Sequence, residues 1–339
     1  MKTNFAIGCL VQWYEVAIIE EYIDSLYDAL ENYEGKVLVD FTIVLNQDLE
    51  KIVWDSDPSS RARGGLLYAI DMKIKKFIEQ IEYGSQGQVH NTKIRSTNEL
   101  TTIADYRRDF NKKYCDCADV LIWGESDSIL PKQMFTVLDS LHNTSLQNNN
   151  PKYLAFFGTC KMWDDTWKQL EHPDFTDKPF IDGDEENWWS LRYDMTKDEM
   201  NAINDKTDEL DVQIVSPHKF NGCGLVISSE VIKAGVNIPK SVFFIHEDSA
   251  FMMMTNKILG NIPQYIIKNI LLVHNRKHKN KRKHIKGEEN VSKKDVGNAR
   301  LSHDWYMIAN KMCEQNYLNL FNPNYKSFTW KDVWKNLKK

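Results

Sequence analysis

Two acidic residues separated by one small residue, Glu125 and Asp127 around Ser126, sit in the segment CADVLIWGESDSILP. The apolar run Val120 to Trp123 predicts a short buried strand, so both carboxylates stand just past its carboxyl end, where an open α/β sheet forms its crevice. Two oxygen ligands directed at one point there suit Mg2+ or Mn2+, and such a cation neutralises a substrate diphosphate. Taken alone, an acidic-x-acidic triplet also fits a plain surface turn. Three further groups carry chemistry: Gly222 and Gly224 around Cys223 ahead of a β-branched run, His246-Glu247-Asp248 at the start of a helical stretch, and His274 at the end of another apolar run. Each also has an ordinary counterpart, respectively a turn or bulge, a helix N-cap favoured by the helix dipole, and a packed or surface histidine.

A different chemistry stands in the run RKHKNKRKHIK from Arg276 to Lys286, a concentrated cationic stretch in a chain whose formal net charge is -5. Its first cations, Arg276, Lys277 and Lys279, can close over a donor diphosphate or grip an anionic acceptor such as DNA phosphates, and a solvated tail of a strand is the alternative. The overall acidity argues against a protein held to nucleic acid or anionic lipid by its whole field. The six cysteines show no C-x-x-C pair and no secreted-scaffold spacing, so neither a zinc site nor a disulfide framework is indicated. The N-terminal MKTNFAIGCLVQWYEV does not resemble a signal peptide, and no run approaches transmembrane length, so the expected location is cytoplasmic with no membrane partner.

The elements that must position these residues follow from hydrophobic period. Phe5 to Val11 reads as a buried strand, Val16 to Tyr33 has helical spacing, and Val37 to Leu45 is apolar enough for a strand covered on both faces. That β-α-β opening is the signature of a parallel sheet. Leu66 to Ile81 reads as helix, Glu82 to Lys93 as a loop, Thr101 to Tyr114 as helix, and the stretch after Pro131 as a helix to Leu141 followed by the exposed connection SLQNNNPK. Strands are expected at Tyr153 to Phe157, Asn221 to Ser228, Val242 to Ile245 and Tyr265 to Val273, with helices at Glu230 to Ala234 and Ser249 to Leu259. The acidic, tryptophan-rich stretch 163–211 has no clean period and suits an insertion over an acceptor cleft. From about Leu301 the chain is helical and aromatic. The expected organisation is a catalytic unit over 1–274, a basic loop over 275–300 and a helical segment over 301–339 that packs back on the core.

In this order the motifs resemble the GT-A fold glycosyltransferases, especially the large inverting family 2 with a D-x-D motif on a turn after a strand. The resemblance spans about Phe5 to His274 and implies an α/β, nucleotide-sugar-binding fold with a mainly parallel central sheet flanked by helices. It implies metal ligation by Asp127, by Glu125, which stands where the family has Asp, and by His274, with His303 as second choice. YRRDFNKKYCDCADVLIWGESD places Arg107, Arg108 and Asn111 on the helix before the metal strand, as the family does with donor-binding residues. Gly222 and Gly224 would line the donor-sugar pocket, Ser126 would face the donor, and Asp248 would be the general base beside Glu247. Gln12, Trp13, Tyr14, Asn46 and Gln47, at the ends of the first two strands, would meet the donor base.

The implied activity is transfer of a hexosyl or pentosyl group from a nucleoside-diphosphate sugar, a UDP-sugar foremost, to an acceptor hydroxyl, with Mn2+ or Mg2+. The Asn- and Lys-rich character also resembles the glycosyltransferases of T4-like bacteriophages, some of which modify hydroxymethylated cytosine in DNA; the location would then be the host cytoplasm. A nucleotidyltransferase would show a basic Gly-rich loop after the first strand, where this chain reads VQWYEV. A non-catalytic carbohydrate- or nucleic-acid-binding protein on the same fold is the reading from another class.

Overall fold

A computed structural model describes residues 2–12, 19–46, 72, 76, 79, 91–97, 101–160, 196–215, 222–274 and 304–337. Most of the helix expected over 66–81, much of the tryptophan-rich stretch, the basic run with Arg276, Lys277 and Lys279, and Trp13, Tyr14, Gln47 and His303 lie outside the described residues.

The chain opens as β1 Phe5–Gln12, α1 Glu20–Glu31 and β2 Val37–Asn46, with β1 and β2 parallel. Alternation along β1 explains why it is central. Phe5, Ile7, Cys9 and Val11 face a core shared with Tyr22, Ile23 and Leu26 of α1, whereas Ala6 and Leu10 face a second core. A strand covered on both faces needs this near-continuous apolar run. Gly8 sits on the second face because a Cβ there would lie 2.6 Å from the Phe110 ring, so its absence lets the next helix lie close on the sheet.

The remaining elements are β3 Asn91–Thr97, α2 Ile103–Tyr114, β4 Val120–Glu125, β5 Ser128–Ile129, α3 Met134–Gln147, β6 Leu154–Cys160, α4 Lys197–Asn204, β7 Val212–Val215, β8 Leu225–Ser228, α5 Ser229–Lys233, α6 Glu247–Leu259, β9 Gln264–His274, α7 Asp304–Leu318 and α8 Trp330–Leu337. Among the described residues they form one nine-stranded sheet in the order β3-β2-β1-β4-β8-β6-β9-β5, with β7 also on β9. Strands β3, β2, β1, β4, β6 and β9 run one way and β5, β7 and β8 the other. The fold is therefore the expected α/β arrangement of a mainly parallel central sheet flanked by helices. The packing of α1 and α3 fills one face, and α2, α6, α7 and α8 fill the other. None of the described helices is long and apolar enough to cross a membrane.

Several elements differ from expectation for identifiable reasons. Val242 to Ile245 is not a strand, and Phe243 and Phe244 instead form edge contacts with Trp330, Trp305 and Tyr306 of the C-terminal helices. The β-strand reading of VFFI rested on composition, and tertiary packing of the aromatics overrides it. β3 begins inside the stretch expected as a loop to Lys93, and its sequence NTKIRST, with one aliphatic residue, carries no strand pattern; it lies at the edge of the sheet beside β2. Within the unpatterned 163–211 stretch, α4 announces itself by a capping box, Thr196 and Glu199, whose side chains satisfy each other's backbone N–H. α3 runs through Ser145 to Gln147, into the stretch read as connection.

Candidate functional site

β4 ends at Glu125, and its parallel register with β1 sets Glu125 opposite Leu10, near the carboxyl end of β1. β1 and β2 end at Gln12 and Asn46 on the same edge of the sheet. β9, parallel to β6, delivers His274 there as its last residue, and the antiparallel pairing of Ser128 with His274 draws the Glu125–Asp127 turn onto it. In consequence the His274 Nε2 lies 2.8 Å from Asp127 Oδ1 and 3.2 Å from Glu125 Oε2. His274 has no solvent exposure, Asp127 is 7% exposed and Ser126 between the two acids 4%. Imidazole and carboxylate oxygens are a donor set that a divalent cation takes, and both acids meet at the His274 Nε2. No ion need be invoked for the convergence itself, because the ring N–H bridges the two carboxylates without one.

Arg107 joins this cluster to the second acidic turn. It projects from α2 toward the sheet, 1% exposed, with its guanidinium 4.8 Å from the Trp123 ring centre. Nη2 donates to Glu125 Oε1 at 2.9 Å and to the Gly222 carbonyl at 2.9 Å, and Nη1 donates to Glu247 Oε1 at 2.7 Å. Trp123 is held in turn, since its indole N–H donates to Asn111 Oδ1 at 2.8 Å, and Asn111 lies one helical turn beyond Arg107 on the same face of α2. Contacts therefore run unbroken from Asp127 through His274, Glu125 and Arg107 to Glu247.

α6 begins at Glu247, after His246, which takes a left-handed backbone conformation at φ 63° and stacks on Tyr317 with ring centres 4.7 Å apart. A non-glycine residue in that region costs on the order of 1 kcal/mol, and it redirects the chain so that two successive acids face different partners. Glu247 turns inward to Arg107. Burial, then the neighbouring Asp248, pushes its carboxyl up to about 7 against the pull of Arg107. Asp248 is half-buried; its Oδ2 accepts from the Gly222 N–H at 3.1 Å and its Oδ1 from the Ser249 N–H at 2.6 Å.

The glycines of the 222–224 turn are explained by the protein itself. A Cβ at Gly222 would lie 1.9 Å from Arg107 Nη1, so the space read as room for a sugar is filled by the guanidinium. Gly224 has φ +76°, and its N–H donates to the Trp123 carbonyl at 2.9 Å, which launches β8 alongside β4. Cys223 between them is fully buried and, with Glu125 and His274, completes a group whose ligand atoms all lie within 4.8 Å of one another. The sequence offered Cys223 only as the middle of a Gly-x-Gly ahead of an apolar run.

The structure thus gathers Glu125, Ser126, Asp127, Arg107, Gly222, Glu247, Asp248 and His274, with Gly224 supporting the turn. It takes Arg108 elsewhere: the guanidinium donates to the carbonyls of Ile238, Pro239 and Val242 at 2.8, 3.1 and 2.8 Å and to Asp105 at 2.6 Å. One residue along a helix turns the side chain by about 100°, and that separates Arg107 from Arg108. Gln12 and Asn46 end their strands at the site's edge.

No protein-family model and no curated protein matches the chain. Among solved structures, TarS 1-349 from S. aureus aligns with a TM-score of 0.41 at 8% identity, over 98% of this chain and 78% of that one. The same TarS fragment in complex with UDP-GlcNAc gives 0.39 at 10% identity over 98% and 79%. A UDP-glucose pyrophosphorylase complexed with UDP-glucose gives 0.34 at 10% identity, over 78% of this chain and 91% of that one. Scores this low transfer neither family nor activity, so the chemistry has to come from the site's own residues.

Proposed function

We propose that the chain is a metal-dependent glycosyltransferase of GT-A-like architecture, moving a sugar from a nucleoside-diphosphate donor, a UDP-sugar foremost, to an acceptor hydroxyl with inversion. The observation that carries this reading is the unbroken line of contacts from Asp127 to Glu247, which joins two acidic turns at the carboxyl edge of the sheet. Glu125, Asp127 and His274 would hold the divalent cation, Mn2+ or Mg2+ if these three side chains alone supplied its ligands. Bound there, a divalent cation supplies positive charge against the donor diphosphate as negative charge develops on the leaving oxygen.

The protein's own groups do the rest. Asp248, oriented by the Gly222 and Ser249 amides, accepts the proton of the acceptor hydroxyl as that oxygen attacks the anomeric carbon in line and the bond to the diphosphate oxygen breaks. Glu247 acts through Arg107 as a positioning residue rather than as the base, because its carboxyl is already engaged. The strand ends at Gln12 and Asn46, with Trp13 and Tyr14 following in sequence, stand where the donor base would be recognised. The cationic run Arg276–Lys286 begins two residues after His274 in sequence and keeps an anionic acceptor, hydroxymethylated DNA included, in the panel to be tried.

The test is thermal stabilisation by uridine, guanosine and cytidine diphosphates and their sugars, with and without Mn2+, on the wild type and Asp127→Ala. Ligand binding to the native state raises the melting point by mass action. A metal-dependent rise that Asp127→Ala removes is the expected result; no rise with any donor overturns the reading.

A further inference from the structure

Cys223 occupies a turn pinned from both sides. The Gly222 carbonyl accepts from Arg107 at 2.9 Å, and the Gly224 N–H donates to Trp123 at 2.9 Å. Arg107 and β4 are also what fix Glu125, so the cysteine and the acid share one rigid frame. The thiol points to the same place: the ligand atoms of Cys223, Glu125 and His274 lie within 4.8 Å of one another, and His274 Nε2 is itself 3.2 Å from Glu125 Oε2. Three donors of different softness, one sulfur, one nitrogen and one oxygen, thus converge on a place with no open face at Cys223 or His274, both of which are fully buried.

We infer that Cys223 is a thiolate ligand of the metal centre, which makes it a mixed oxygen–nitrogen–sulfur site that holds Zn2+ or Co2+ in preference to Mg2+. The inference rests on the reading of Glu125, Asp127 and His274 as a metal site and adds a ligand that changes its selectivity. Mg2+ demands octahedral oxygen and keeps several waters, whereas a thiolate with imidazole and carboxylate is the donor set of Zn2+ and its Co2+ substitute. Zinc binds sulfur at about 2.3 Å and imidazole nitrogen at about 2.0 Å, which at a tetrahedral angle sets the two donors about 3.5 Å apart. The ligand atoms now lie within 4.8 Å of one another, so binding requires them to draw together toward that span. On binding, the S–H bond breaks, its electron pair stays on sulfur and forms the sulfur–metal bond, and the proton leaves to solvent. The Nε2 proton that His274 shares with Asp127 leaves to solvent in the same event. Cysteine spacing carries no trace of this because the ligands come from three separate segments: the end of β4, the 222–224 turn and the end of β9.

The experiment is Co2+ titration of the full-length, tag-free chain, read by equilibrium dialysis and by absorption spectroscopy, for wild type and the near-isosteric Cys223→Ser. The expected result is one bound Co2+ with a sulfur-to-cobalt charge-transfer band in the near ultraviolet. In Cys223→Ser the visible d–d bands persist, the charge-transfer band is gone, and Co2+ and Zn2+ affinity falls by at least roughly tenfold, the scale on which even outer partners of metal ligands act. Co2+ bound with no charge-transfer band in the wild type, or a band that survives in Cys223→Ser, overturns the cysteine ligand while leaving the metal site standing. No stoichiometric Co2+ or Mn2+ in the wild type overturns both. A wild-type spectrum without the band overturns the cysteine ligand even if the variant does not fold.

Discussion

Arg107 and Glu247 lie 140 positions apart in the chain and meet at 2.7 Å, while the other amino group of the same guanidinium holds Glu125 at 2.9 Å. One planar cation therefore sets the distance between two acidic turns that the backbone brings to the sheet edge independently. Lysine cannot replace it, since a single ammonium on a flexible stem lacks the fixed fork that reaches two carboxylates and a carbonyl at once.

Arg107→Ala leaves two carboxylates facing each other in a buried setting with no cation. Breaking a buried ion pair from one side costs about 3–5 kcal/mol, and the expected loss of unfolding free energy in urea falls in that range. Arg107→Lys should recover only part of it. A loss under about 1 kcal/mol for the alanine variant, the level of an exposed pair, would mean that the clamp contributes little.

The pH dependence of stability reads out Glu247. Its folded-state pKa, about 7, is raised above the ordinary 4.5 by burial and then by Asp248. The folded chain accordingly holds a proton that the unfolded chain has lost, so this contribution is fully present below about pH 4.5 and disappears as pH rises through about 7. Asp40 acts oppositely: burial raises it, but the Tyr114 hydroxyl and Lys113 outweigh burial and leave it lowered, so its contribution is lost as pH falls. Glu247→Gln isolates the first effect. In metal-free buffer, the wild type should lose stability relative to the variant between about pH 5 and pH 8. Parallel curves for the two proteins would show that Glu247 does not titrate in that window.

The acidic half of the site was legible because its residues are local in sequence: Glu125 and Asp127 follow one apolar run, Glu247 and Asp248 open one helix. Partnership was not. Arg107 and Arg108 are indistinguishable as letters, and the choice between them is made by the rotation of α2, which turns one to Glu125 and the other to the carbonyls of residues 238–242. The parallel pairing of β1 and β2 followed from the β-α-β opening, whereas β3 and the aromatic 242–245 stretch depend on contacts outside their own segments. The resemblance gives Gly222 as room for a donor sugar beside the backbone, whereas the atoms that a Cβ there would meet are those of Arg107.

Gly222→Ala tests that occupant. The added methyl would lie 1.9 Å from Arg107 Nη1, so the guanidinium must withdraw from Glu247 or the turn must move. Movement of the turn would displace the Gly222 N–H that holds Asp248. The expected result is a destabilisation of about 1–3 kcal/mol, typical of overpacking, together with weakened donor-dependent thermal stabilisation. Gly235→Ala is the comparison, since no atom lies within 4 Å of its Cβ and only its φ of +96° opposes the change; it should lower stability without touching donor binding. Equal effects of the two on donor binding would show that Gly222 acts only through overall stability.

Asp248→Asn and Asp127→Ala separate proton transfer from donor binding. Asparagine at 248 accepts one of the two amide hydrogen bonds that Asp248 accepts and leaves the other N–H facing an NH2, and it takes no proton from an acceptor. General-base catalysis contributes roughly 10²- to 10⁴-fold, and kcat should fall by that factor with the donor KM nearly unchanged. Asp127→Ala removes a carboxylate that His274 contacts at 2.8 Å, so the donor KM and the metal dependence should change first. Steady-state kinetics on the first donor–acceptor pair that turns over distinguishes them. If both variants raised the donor KM and left kcat alone, Asp248 would belong to the donor site and the acceptor's proton would have to go to another group.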